Sequence, residues 1–192
     1  MSDPSDQTGG GDYSASPLFV GEPSMFDVNQ GAIADCYYLS PLASMGGGAV
    51  PGVTGASTGT AHNIRRLIVP LPNHDPLVLF YDVDRSSGQP VPSLAVEVAP
   101  TFNFGYQHAG GSGAVWASAA EKAYACFRTL YNGQTLNTYA SLNYGSTIGT
   151  FQTMGLTASF TLGLRSSWFN DVSSDLVTNH DIAALETGDA TD

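Results

Sequence analysis

Cys36 stands in the run Gln30-Gly31-Ala32-Ile33-Ala34-Asp35-Cys36-Tyr37-Tyr38-Leu39, and a thiol in that setting can serve as a nucleophile. Leu39, Leu42, Ala43 and Met45 follow at helical spacing, which puts Cys36 at a helix start. Unpaired backbone N–H groups and the positive end of the macrodipole favour thiolate over thiol at such a position. Asp35 is expected to cap the helix. Gln30, six residues before the sulfur, can fold back and donate its amide to a developing oxyanion. The competing reading of a lone cysteine here is a small buried hydrophobe. A thiol nucleophile also needs an imidazole to share its proton. His62 and His74 fall in loops of the first half and His108 in a Gly-rich connector, and each reads as a surface residue. His180 is the histidine of the C-terminal part.

Three blocks together carry a resemblance. Gln30-Gly31, Asp35-Cys36 and the aromatic and leucine after them are preceded by Pro17-Leu18-Phe19-Val20 and Asp27. Trp116-Ala117-Ser118-Ala119-Ala120-Glu121-Lys122-Ala123-Tyr124-Ala125 comes next, and Leu176-Val177-Thr178-Asn179-His180 last. The chain resembles the calpain family, cysteine endopeptidases with a papain-like core. The resemblance implies an α+β fold, with a helical N-terminal lobe bearing the cysteine and an incomplete antiparallel β lobe bearing the histidine. It implies polypeptide substrates and peptide-bond hydrolysis in a cleft between the lobes. Cys36 would attack the carbonyl, His180 would act as base and then acid, and Gln30 would hold the oxyanion with the Cys36 backbone N–H.

The chain also departs from that pattern. Calpains orient the histidine with an Asn in an Asn-Pro-Trp-Gly segment, and this sequence stops at Asp192 before such a segment. A fragment of a longer parent with further domains is therefore expected. Asp181 follows the histidine where the family has Ala, Tyr37 replaces a Trp, Ala34 replaces a Gly, and Pro41 should kink the first helix. These changes motivate the alternative of a catalytically inactive calpain-like scaffold or interaction module. An acyltransferase or amidase using the same thiol is a third reading, since it begins from the same acyl-enzyme. Animal calpains bind calcium in each lobe. The resemblance places first-lobe ligands at backbone oxygens near Val20, at Asp27, and at a Glu that is Ala114 here. Losing a hard carboxylate ligand weakens such a site, so no tight calcium site is expected in this lobe, and no other cofactor.

Composition narrows the classes. The net charge is −11 with six Lys and Arg residues, so no basic stripe exists for a nucleic-acid backbone and anionic membranes would repel the chain. No apolar run is long enough to span a bilayer. Residues 1–16, rich in Gly, Ser and Asp, lack the charged and apolar regions of a signal peptide and read as a disordered leader, which fits a cytoplasmic protein. Two cysteines make a poor disulfide framework, and Cys126 reads as a packing residue.

The elements that must position these groups follow from periodicity. Gly46-Gly47-Gly48 ends the first helix, residues 49–62 read as a surface loop, and 64–71 and 77–83 read as strands either side of a Pro-Asn-His-Asp-Pro turn. Asp82 and Asp84 read as a solvated strand end. Trp116 to Leu130 is predicted as an amphipathic helix packed on the Cys36 helix through Trp116, Ala119, Ala120, Ala123, Tyr124 and Phe127. From Tyr139 onward the pattern is more β-like, giving a helical lobe over 17–140 and the start of a β-rich lobe over 141–192.

Overall fold

The computed structural model describes residues 3–7, 10–46, 58–102, 108–109, 113–131 and 137–156. They form a mixed α and β structure of four helices and three small antiparallel sheets. In chain order the elements are β1 (Gly11–Asp12), a 3-10 turn (Met25–Asp27), β2 (Val28–Asn29), α1 (Cys36–Gly46), α2 (Thr58–Leu67) and β3 (Ile68–Pro70). β4 (Pro76–Val83), β5 (Pro90–Glu97), β6 (Thr101–Phe102), β7 (His108–Ala109) and α3 (Trp116–Tyr131) follow, then a second 3-10 turn (Tyr139–Leu142) and α4 (Thr147–Thr153). β3, β4 and β5 form one antiparallel sheet; β1 pairs with β6 and β2 with β7.

Helix α3 occupies the centre. Every residue from Trp116 to Phe127 is buried, although the sequence predicts a one-sided helix. The polar face is enclosed because its two charged side chains find partners inside. The Lys122 ammonium donates to the Ala99 and Thr101 carbonyls at 2.9 and 2.8 Å and pairs with the Asp3 carboxylate. Burial pushes the Lys122 pKa down, and Asp3 opposes that shift. Where composition suggests a disordered leader, the described residues among 3–7 and 10–16 thus carry specific bonds. Asp6 accepts from the Tyr139 and Ala140 N–H groups at 2.7 and 2.9 Å, and β1 pairs with β6.

The apolar face of α3 meets α1 and β4. The Tyr38 ring stacks on Tyr124 with centroids 3.9 Å apart, and Phe80 stacks on Phe127 at 4.5 Å. Alternation in β4 sends Pro76, Val78 and Phe80 inward. α1 runs through Pro41, which removes one backbone donor without ending the helix. It ends against the first 3-10 turn, where a Cβ on Gly46 would lie 3.0 Å from the Ser24 carbonyl carbon.

Two segments differ from expectation. The expected loop and strand around residue 64 are largely helix α2. Ile64, Leu67 and Ile68 are all buried, a three-four spacing that serves a helix as well as a strand. Arg65 and Arg66 in the last turn complement the helix dipole. Where β-like character is expected from Tyr139 onward, the chain forms the second 3-10 turn and then α4 as far as Thr153. Ser146 caps α4 by accepting from the Gly149 N–H, and α4 packs on α1. The rest of the expected β lobe, including His180 and Asp181, lies outside the described residues.

Gly145 has no room for a side chain, since a Cβ there would approach the Tyr37 ring to 2.1 Å, whereas Gly149 has only Ser146 Cβ nearby, at 3.8 Å. Gly145→Ala should therefore destabilise the protein by about 1–3 kcal/mol through overpacking. Gly149→Ala should be neutral or stabilising by up to about 1 kcal/mol, as expected for a helical glycine. Denaturant unfolding of the two variants measures both.

Candidate thiol site at the start of helix α1

The site is built on the turn between β2 and α1. After Asn29 the Gln30 side chain folds along the turn, and its Nε2 donates to the Ile33 carbonyl at 2.8 Å and, at 3.5 Å, to Asp35 Oδ1. The Asp35 carbonyl then accepts from the Tyr38 and Leu39 N–H groups at 2.8 and 3.0 Å, which opens α1. Cys36 is the first residue of that helix and is exposed. Cys126, by contrast, is buried in α3, and both thiols are free.

A second segment clamps the same turn. Asn143 Oδ1 accepts from the Ala34 N–H at 3.2 Å, and the Tyr144 N–H donates to the Ala34 carbonyl at 3.3 Å. Gly145 then lies against the Tyr37 ring. Tyr37 is buried, and its Oη accepts from Arg128 Nη1 at 2.9 Å. Burial pushes the Tyr37 phenol well up, with the neighbouring Tyr124 acting in the same direction and Arg128 opposing. Tyr144 adopts a left-handed backbone with φ 65° and leaves its ring 84% exposed. A tyrosine in that region is strained and persists because the flanking bonds over-determine it. Sequence reading did not single out Asn143, Tyr144 or Arg128. The Asn-Tyr-Gly run signals a turn, but nothing local says that the turn closes on residue 34.

Asp35 departs from the predicted cap. Its backbone occupies the cap position, yet its side chain turns inward, is wholly buried and meets Glu121 of α3. Burial pushes its carboxyl up to about 6, while the Glu121 hydrogen bond and its own backbone N–H act in the opposite direction.

Asp27 is buried too. Its Oδ2 accepts from Trp116 Nε1 and from the Ser24 N–H, both at 2.9 Å, so it ties the first 3-10 turn to the start of α3. Ala114 is buried. Among the described residues no group of three or more His, Cys, Asp or Glu side chains is arranged to hold a metal ion. No helix among them is long and apolar enough to cross a membrane.

Of the residues selected from sequence, Cys36 and Gln30 are brought to one turn, and His180 lies outside the described residues. His74 sits in the β3–β4 turn with φ 69°. His62 is in α2, and the His108 backbone stands opposite Asn29 across the β2–β7 pair. No protein-family model matches the chain, and no curated protein matches it either.

Two outcomes check this geometry. Under native conditions iodoacetamide should modify Cys36 and leave Cys126 unmodified, read by peptide mass spectrometry. Asp27→Ala should destabilise the fold by about 1–3 kcal/mol, because it leaves the Trp116 indole N–H buried without its acceptor. A melting curve gives that cost.

Proposed function

We propose that the chain carries the nucleophile of a calpain-like cysteine endopeptidase. In this reading Cys36 attacks the peptide carbonyl and His180 takes the thiol proton and later gives it to the leaving amine. Gln30 and the Cys36 backbone N–H hold the tetrahedral oxyanion. The single observation that carries the reading is the exposure of Cys36 as the first residue of a helix whose next turns are buried. A buried packing cysteine would have been turned into the core, as Cys126 is. The fold-level part of the proposal is a papain-like arrangement. It is supported by the contact of α1 with α3 through Tyr38 and Tyr124 and by the mixed α and β content.

One observation favours the alternative, a catalytically inactive calpain-like module. The Gln30 amide already donates to the Ile33 carbonyl and, weakly, to Asp35. To reach an oxyanion it must give up the longer of these bonds. That is a small cost if substrate supplies a charged acceptor, since charge-assisted hydrogen bonds are the stronger kind.

An epoxysuccinyl thiol-protease reagent applied to the 192-residue chain separates the readings. The endopeptidase reading expects alkylation at Cys36, its loss in Cys36→Ala and strong slowing in His180→Ala. Gln30→Ala should lower the turnover of a peptide substrate by roughly a hundred- to thousandfold. An unreactive Cys36, in the chain alone and in one extended past Asp192, would leave the inactive module.

A further inference from the structure

Asp35 and Glu121 are two buried carboxylic side chains that the proposed chemistry does not use. Asp35 is 0% and Glu121 1% exposed, and they meet where the start of α1 lies on the middle of α3. Asp35 Oδ1 receives the Gln30 amide, but Asp35 Oδ2 is buried and receives no N–H or hydroxyl donor. A buried acceptor without a donor is costly, and two adjacent carboxylates in a dry interior cannot both ionise. One proton removes both problems.

We propose that Asp35 and Glu121 share a proton across the α1–α3 contact, Glu121 donating as a carboxylic acid to Asp35 Oδ2, and that this pair positions Gln30 and the helix start that presents Cys36. The Gln30 part rests on the endopeptidase reading; the proton does not. The upward displacement of the Asp35 pKa by burial agrees with it. The groups that face the pair are consistent as well. Tyr37 and Tyr38 look onto it from α1, both phenols raised by burial, and each feels the Asp35 charge. Tyr38 also feels the charge of Glu121, and its Oη donates to the Ala120 carbonyl at 3.1 Å. Beyond them on α3 stand Tyr124 and Arg128, and the Arg128 guanidinium is directed at Tyr37 Oη. Cys36, the next residue after Asp35, faces solvent. None of the influences on Asp35 comes from a cation.

Above pH 4 the unfolded chain releases both protons while the folded pair keeps at least one. The folded state then binds more protons, so the pair's contribution is fully present below the ordinary carboxylate range and is lost as pH rises. For Asp35 the window runs from 3.8 to about 6. Tenfold per pKa unit makes this roughly a hundredfold fall in the folded-to-unfolded ratio across the window.

Isosteric amides test the idea. Glu121→Gln keeps a donor for Asp35 but cannot titrate, and Asp35→Asn keeps an acceptor for Gln30. Asp35→Asn should gain stability relative to the unsubstituted protein as pH rises from 4 to 7, by up to about a hundredfold in that ratio, and Glu121→Gln should gain in the same direction. The unsubstituted protein at pH 7 should show an infrared band of a protonated, buried carboxylic acid that Glu121→Gln removes. Labelling of Cys36 by the epoxysuccinyl reagent should survive in Glu121→Gln and fall in Glu121→Ala. Absence of the infrared band from the unsubstituted protein overturns the proposal, whether or not the variants fold. A Glu121→Gln variant that tracks the unsubstituted pH profile overturns it too. Unreactive Cys36 in every form defeats the endopeptidase reading while the band and the pH profile still report on the proton.

Discussion

Enclosure of α3 is the constraint on which the structure depends. A helix buried from Trp116 to Phe127 must satisfy every polar group it carries from within, because no water is available to do so. Each solution recruits a distant part of the chain. Lys122 draws in Asp3 and the carbonyls of Ala99 and Thr101, Trp116 draws in Asp27, and Glu121 meets Asp35. The N-terminal segment, the first 3-10 turn and the start of α1 are thus held to one helix by polar contacts. Apolar packing between Tyr38, Tyr124, Phe80 and Phe127 fills the space between them.

The exposed thiol is a consequence of that arrangement. With Asp35 turned into the α3 contact and Tyr37 and Tyr38 committed to the core, Cys36 is the residue of the first helical turn left facing solvent. The clamp from Asn143 and Tyr144 on Ala34 fixes the approach to the sulfur from the other side. A nucleophile gains from such rigidity, since catalysis depends on holding the reacting atom in place before substrate arrives. The same rigidity would also serve an interaction module, so geometry on the cysteine side is shared by both functional readings.

Periodicity made α1, β4 and α3 legible in the sequence, because each has one strong apolar pattern. α2 was hidden because Ile64, Leu67 and Ile68 fit two templates, and the helical character after Tyr139 because its residues are Thr, Ser and Gly. The position of Cys36 at a helix start was also legible, from Gln30-Gly31 and the leucines that follow. The inward turn of Asp35 was not. Local chemistry favours an aspartate that caps its own helix, and only the burial of Glu121 on a helix distant in sequence gives it a different partner. Asn143 and Tyr144 escaped for a similar reason, since a turn's sequence does not reveal which backbone it will bond.

Native-state amide hydrogen exchange at Tyr38 and Leu39 tests most directly that α3 holds the thiol-bearing turn in place. Both N–H groups donate to the Asp35 carbonyl and open only if the start of α1 detaches. Protection equal to that of the central α3 amides is expected, in the slowest, globally unfolding class. Exchange of these two amides as fast as that of an exposed loop, with α3 still protected, would contradict it.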